Sequence, residues 1–302
     1  MKRFIYITFC CFCPLIFSTL YAQETTSEVT GVITESGKPV AGASVTAINN
    51  PTGTRYATTS RKDGRYNLPN MKVGGPYTIT VKFVGFKEEK KENIFLLLGQ
   101  EFQADFELTA ESANLEAVVV TASRQDKIFN SSRTGSQEII SRSQIERLPT
   151  VNRSLQDFTK LTPSSNGLSF GGRNSSYNNI TVDGANFNNV FGLSGTLGGQ
   201  TNSQPISLDA IEQIQVNVSP YDVRQGGFSG AGVNSVTRSG TNTFKGTVYT
   251  YLRGPNTQGY RVRTTKVPNQ SFDYGLRGAA FGGAIVKNKL FFFVSAEQER
   301  VT

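Results

Sequence analysis

The chain has 302 residues, with 31 Lys and Arg against 23 Asp and Glu, three Cys, no His and no Trp. With no His, and every cysteine between positions 10 and 13, zinc sites of the His/Cys kind and His-based catalytic dyads and triads are excluded. The formal charge of +8 is scattered and comes without an RNP, zinc-finger or helix-turn-helix signature, so no nucleic-acid partner is expected.

The N-terminus has the form of a secretory signal. Met1, Lys2 and Arg3 supply a positive start, residues 4–17 an apolar run, and residues 18–22 end in Leu20-Tyr21-Ala22, which predicts a cut before Gln23. At 14 residues the run is short for a membrane-spanning helix. Cys10, Cys11 and Cys13 lie inside it without a small-residue lipobox, so a lipid anchor is not expected. The mature chain 23–302 would carry no cysteine and a charge of +6. Its domains must be held by their cores or by a membrane, and any membrane passage must be made by a β-barrel, since no later stretch is long enough for a spanning helix.

Residues 28–109 alternate strand-like runs with turn signals: 29–34, 43–49, 56–59, 66–68, 77–84 and 102–108, separated by Gly37-Lys38-Pro39, Pro51-Thr52-Gly53, Asp63-Gly64 and Gly74-Gly75-Pro76. About seven short strands at this spacing predict a β-sandwich, with Asp63-Gly64 as a hairpin turn. Tyr77, Phe83 and Phe86 are expected in its core rather than as a sugar platform. The wording GVITESGKPVAGASV, SRKDGRYNLPNM and YTITVKFVGFK resembles the carboxypeptidase-regulatory-like domain, a transthyretin- or carbohydrate-binding-like sandwich. That resemblance implies no peptidase chemistry.

Residues 110–135 are expected to be a linker. Within it, residues 115–123 read LEAVVVTAS, an apolar β-branched run behind an acidic residue, followed by charged and Ser-rich sequence. Such a run is either an ordinary strand of a neighbouring domain or an extended segment that pairs with another protein's sheet edge. It resembles the TonB box of outer-membrane TonB-dependent receptors. The resemblance implies that Glu116, Ala117, Val118, Val119, Val120, Thr121 and Ala122 contact TonB, which is driven by its inner-membrane energising complex.

Residues 136–240 change texture. Residues 143–147 and 153–161 have helical spacing and stop near Pro149 and Pro163. A Gly-Gly-Arg173 loop, the turn Asp183-Gly184, a Gly-rich loop and the strand-like runs 206–218 and 226–238 follow. Gly226, Gly227, Gly230 and Gly232 lack the Lys-Ser/Thr of a phosphate loop and instead fit close passage of backbone along a wall. The segments LPTVNRSLQDFTKLTPS, FGGRNSSYNNITVDGANFNN, LDAIEQIQV and GGFSGAGVNSVTRSGTN resemble, in order, the plug of TonB-dependent receptors, closest to the Oar-like subgroup. The resemblance implies an α+β plug in which Arg173 contacts the barrel wall.

Residues 241–302 predict the first strands of a transmembrane barrel: alternating runs at 244–253, 272–281 and 290–298, a long outer loop at 254–270 and a short periplasmic turn at Lys287-Asn288-Lys289. A soluble antiparallel sheet has the same alternation. A plugged transporter needs about 22 strands, and 62 residues follow Gly240. The sequence is therefore expected to be an N-terminal piece of a larger protein or the product of a truncated gene.

The expected fold is mainly β: a seven-stranded sandwich, an α+β plug and the start of a barrel. The expected function is an outer-membrane receptor of a Gram-negative bacterium, with the sandwich and box in the periplasm. Its partners would be TonB, outer-membrane lipid, an external ligand (glycan, peptide or metal chelate) and a surface lipoprotein. The alternative is a secreted or surface adhesion protein carrying the sandwich. No enzyme activity, cofactor or metal is expected: Asp183, Asp209 and Asp222 sit in turn or helix-start contexts.

Overall fold

The computed structural model describes residues 25–111, 119–121, 135–150, 153–167, 169–188, 204, 206–220, 226–257, 259, 261–266 and 271–302. The predicted leader, and Glu116, Ala117, Val118 and Ala122, lie outside these residues.

Two sheets make the sandwich. The first joins β1 (Thr26–Glu35) to β2 (Lys38–Pro39), β5 (Arg65–Lys72), β8 (Glu101–Gln103) and β9 (Phe106–Glu107). The second runs β7 (Glu89–Leu96), β6 (Gly74–Lys82), β3 (Ser44–Asn49), β4 (Arg55–Thr59). Strict alternation sends Val29 and Ile33 of β1, Val45 and Ala47 of β3, and Tyr77, Ile79 and Val81 of β6 into one core, with Phe83 and Phe86 packed against it. Side chain and backbone meet closely there. Tyr66 donates to the Ala104 carbonyl at 2.6 Å, and a Cβ on Gly31 would lie 2.6 Å from the Ala104 carbonyl carbon, so only glycine lets β1 pass. Burial raises the Tyr66 phenol above its ordinary range, with Asp105 adding to the effect.

Two expectations change. Asp63-Gly64 closes a tight turn, with Gly64 at φ +74° and Arg61 N–H donating to Arg65 O at 2.8 Å. It joins β4 of one sheet to β5 of the other, so it is an inter-sheet corner and not a hairpin. Strand β7 was not expected: its first half, Glu-Lys-Lys-Glu-Asn, is a charged run that hides the strand period at a sheet edge.

The second unit is a mixed sheet in the order β11 (Gly135–Ser141), β16 (Ile211–Pro220), β17 (Gly232–Thr237), β14 (Asn179–Val182), β15 (Ala185–Asn186). Helices α1 (Arg142–Arg147) and α2 (Leu155–Thr159) match the expected pair. A reciprocal cap starts α2: Asp157 N–H donates to Ser154 Oγ at 3.2 Å and Ser154 N–H to Asp157 Oδ2 at 3.3 Å. Leu155 and Phe158 join Ile140, Ile180, Ile211, Ile214, Val216 and Val233 in a second core. The expected turn Asp183-Gly184 has positive φ at both residues, +49° and +81°, and links β14 to β15. Short pairs β12 (Ser165–Asn166) with β13 (Ser169–Phe170), and β19 (Arg261–Val262) with β20 (Thr265–Lys266), lie in loops.

The third unit is an antiparallel sheet, β18 (Lys245–Arg253), β21 (Tyr274–Val286), β22 (Leu290–Val301). Val248, Leu252, Phe281, Ile285, Leu290 and Val294 stand exposed on its outer face, as lipid-facing positions do. In β21 the apolar set Leu276, Gly278, Ala280 pairs with Tyr251, Tyr249 and Thr247 and faces inward. The alternation there marks the plug side rather than the lipid side.

Candidate functional site

Three junctions bring the functional residues together. At the first, β10 (Val119–Thr121) lies parallel to β7, with Val119 opposite Lys90, Val120 opposite Lys91 and Thr121 opposite Glu92. The expected linker thus contains a strand added to the edge of the sandwich's second sheet. Glu92, the partner of Thr121, is followed by Asn93, a positive-φ residue at +59° where β7 carries one residue more than β6.

At the second junction the mixed sheet and its helices, the expected plug, meet the inward face of the β18–β21–β22 sheet, the expected barrel wall. Arg153, at φ +48°, sends Nη2 to Asp209 Oδ2 at 2.7 Å and lays its guanidinium 4.1 Å from the Tyr249 ring centre and 5.3 Å from that of Tyr251. Asp209 also receives Arg142 Nη2 at 3.4 Å, and Arg142 Nη1 donates to the Leu208 and Ile211 carbonyls. Ser207 Oγ donates to Glu297 Oε2 at 3.0 Å, and Tyr249 Oη also donates to Glu297. Arg238 stacks over Phe293 at 5.2 Å. Polar groups from the turn leading into β16, from the residue before the Ser154 cap of α2 and from the inward faces of β18 and β22 therefore form one network.

Arg173 is not part of that network. It is exposed, its N–H closes a turn on Phe170 O, and its carbonyl accepts from Ser169 Oγ. The wall meets Arg153 instead, through Tyr249 and Tyr251 of β18. Sequence reasoning placed Arg153 inside a helix; its actual place, just before the Ser154 cap, was signalled only by the Asn-Arg-Ser that precedes the apolar run.

At the third junction the sandwich meets the plug. Gln213 Nε2 donates to Leu96 O at 2.9 Å, and Leu98 N–H donates to Gln213 Oε1 at 2.9 Å. Gln215 Nε2 reaches Leu98 O at 3.3 Å, while Asn234 Nδ2 donates to Gln215 Oε1 and Thr181 Oγ1 to Asn234 Oδ1. Val73, Leu98 and Val236 fill the gap beside this ladder. Glu212 sits at the rim beneath Gly74; burial raises its carboxyl, outweighing the opposite pull of Arg238, Arg142 and Lys72. Further along, Asn242 N–H donates to Pro51 O at 2.8 Å, and Asn288 N–H to Asn242 Oδ1 at 2.9 Å. The β3–β4 turn of the sandwich thereby touches the short turn between β21 and β22.

Three family models match the chain in succession: the carboxypeptidase regulatory-like domain over residues 28–109, the TonB-dependent receptor plug domain over 130–233 and an outer-membrane β-barrel domain over 236–302. A curated relative, the TonB-dependent transporter Oar of Myxococcus xanthus, is 27% identical over 293 residues, which is 91% of this chain and 27% of that protein. The chain thus spans about a quarter of that relative's length. Among solved structures, the siderophore receptor PirA of Acinetobacter baumannii aligns at a TM-score of 0.43 and 22% identity, over 55% of this chain and 24% of that one. A catechol 1,2-dioxygenase of Acinetobacter radioresistens aligns over 33% of this chain and 58% of that one, at a TM-score of 0.25 and 13% identity.

Proposed function

We propose that the chain belongs to the TonB-dependent outer-membrane receptors and forms the periplasmic and plug portion of a ligand-uptake receptor energised through strand pairing with TonB. The observation that carries this reading is the order of parts: a strand-forming segment lies between a folded sandwich and a plug whose Arg153 is seated against the inner face of wall strand β18. The outer-membrane setting follows from the plug and barrel domains. In the proposed mechanism, TonB adds a strand of its own along residues 116–122; main-chain hydrogen bonds give strength and the two-residue side-chain period gives register. Arg173 would meet wall strands other than the three described. The external ligand belongs to the class of glycans, peptides or metal chelates.

The test is Val119→Pro in the full receptor. Proline removes a ladder donor and fixes φ. Energised uptake should be lost with ligand binding retained. Uptake that survives the proline would remove residues 115–123 from the mechanism.

A further inference from the structure

We propose that the free edge of β7 is a berth for the TonB box, holding it in the sandwich's own sheet and withholding it from TonB until the berth opens. The inference rests on the reading of residues 116–122 as the partner strand. Three observations carry it.

First, Val119–Thr121 already pairs in register with Lys90–Glu92, which makes β10 the outermost strand of that sheet. Without it, β7 would present a row of unpaired N–H and C=O groups to solvent. Second, the chain leaves the sandwich beside this edge. Lys87 N–H donates to Thr109 O at 3.0 Å, Glu111 N–H to Gly85 O at 3.0 Å, and Phe86 bridges Ala110. Only residues 112–118 separate that exit from β10, so a short tether keeps the box at high local concentration over its berth. Third, the edge is irregular beside the berth. Next to Glu92, the partner of Thr121, Asn93 lies in the left-handed region and β7 carries one residue more than β6, an interruption of the regular edge that favours release.

A berth of this kind lowers the apparent affinity of a competing strand by the fraction of time the box is free. If the open state is one part in ten, TonB binding to the intact chain is about tenfold weaker than to a free peptide of the same sequence.

The experiment uses the chain with Cys10, Cys11 and Cys13 removed with the leader or replaced by serine. Lys91→Cys with Val120→Cys places two thiols at register partners, within disulfide reach of adjacent strands; Lys87→Cys with Val120→Cys is the out-of-register control. Mild oxidation should cross-link the first pair and not the second. The oxidised chain should bind the purified periplasmic domain of the same bacterium's TonB at least about tenfold more weakly than the reduced chain, and reduction should restore binding. Equal cross-linking of both pairs, or of neither, overturns the berth. A locked chain that binds TonB as well as the reduced one overturns the competition. A synthetic 115–123 peptide serves as the separate control: if it does not bind the TonB domain, the partner-strand reading fails, while the cross-link still judges the berth. In a variant with 115–123 replaced by Gly and Ser, the main-chain amides within residues 90–92 that face β10 should exchange faster than in the parent, while those bonded to β6 keep their protection; unchanged exchange at the β10-facing amides would also overturn the berth.

Discussion

Asp209 holds two arginines at once: Arg153 Nη2 at 2.7 Å and Arg142 Nη2 at 3.4 Å, with all three side chains largely shielded from solvent. Arg142 spends its other donors on the carbonyls of Leu208 and Ile211 and on Glu146, so it anchors the start of β16 within the plug. Arg153 is the member that reaches outward to the wall, over Tyr249 and Tyr251. One carboxylate therefore ties plug architecture to plug seating.

Arg153→Ala should loosen the seat without unfolding the plug, because Arg142 still compensates Asp209. Loss of the ion pair and of the stacking over tyrosine should weaken the plug–wall contact by about 2 kcal/mol. Hydrogen exchange in β18 checks it, and an unchanged rate there would show that the contact is incidental. Arg153→Lys should recover only part of the effect, since a point charge cannot both pair and stack as the planar guanidinium does.

Gly278 lies opposite Tyr249 in the ladder, and a Cβ at that position would intrude on the tyrosine ring. Gly278→Ala should therefore push Tyr249 off its place beneath Arg153, Ser207 and Glu297. The substitution changes no polar group, yet it should reproduce most of the Arg153→Ala effect. The two changes together should give less than the sum of their separate effects, because they act on one contact. Full additivity in the double variant would separate the two sites.

Gln213→Ala should undock the sandwich. It removes two hydrogen bonds and leaves the Leu98 N–H and the Leu96 carbonyl without that partner at a buried junction. Each stranded group costs about 1–3 kcal/mol, so the junction should open while both domains stay folded. Small-angle scattering should show an expanded chain, and limited proteolysis should cut near residues 97–100.

The same junction should respond to pH through Glu212. Burial raises its carboxyl above the ordinary glutamate value of 4.5, so the docked form binds the proton more tightly than the open one. The contribution of Glu212 to docking is then full below that value and is lost as pH rises through the raised one. Exchange at the Leu98 amide should accelerate across this window in the parent chain. Glu212→Gln should flatten the response, and an unchanged profile in that variant would assign the pH dependence to other groups.

The sequence announced much of this fold, and its misses have physical causes. Alternation in 43–49 and 77–84 exposed the sandwich core, and the helical spacing of 153–161 exposed α2, although not its start at Leu155. Strand β7 escaped because an edge strand needs no apolar face in its outer half, and Glu89-Lys90-Lys91-Glu92-Asn93 offers none. Residues 115–123 were legible as a strand-like run without a home, and Val119–Thr121 found one on the strand that could not be seen. Gln213 and Gln215 are buried, and the alternation in IEQIQVNV separates polar from apolar residues without saying what covers either. Their burial depends on a neighbour distant in sequence, and no local pattern encodes that. Arg153 was hidden for a similar reason: its partners Asp209 and Tyr249 come from two other domain segments.

The amide ladder from Thr181 through Asn234 and Gln215 to Leu98 gives the sandwich–plug junction an unusual thermal character. A junction lined by methyl groups releases a large heat capacity when it parts, and the bare surfaces then seek other partners. Here the groups uncovered are mostly amides, which water satisfies at once, with only Val73, Leu98 and Val236 as apolar filling. Exposed amide surface lowers the heat capacity where exposed methyl surface raises it, so separation of the two domains should leave little calorimetric trace. The parted faces of sandwich and plug should stay wetted rather than stick to other surfaces, ready to close again.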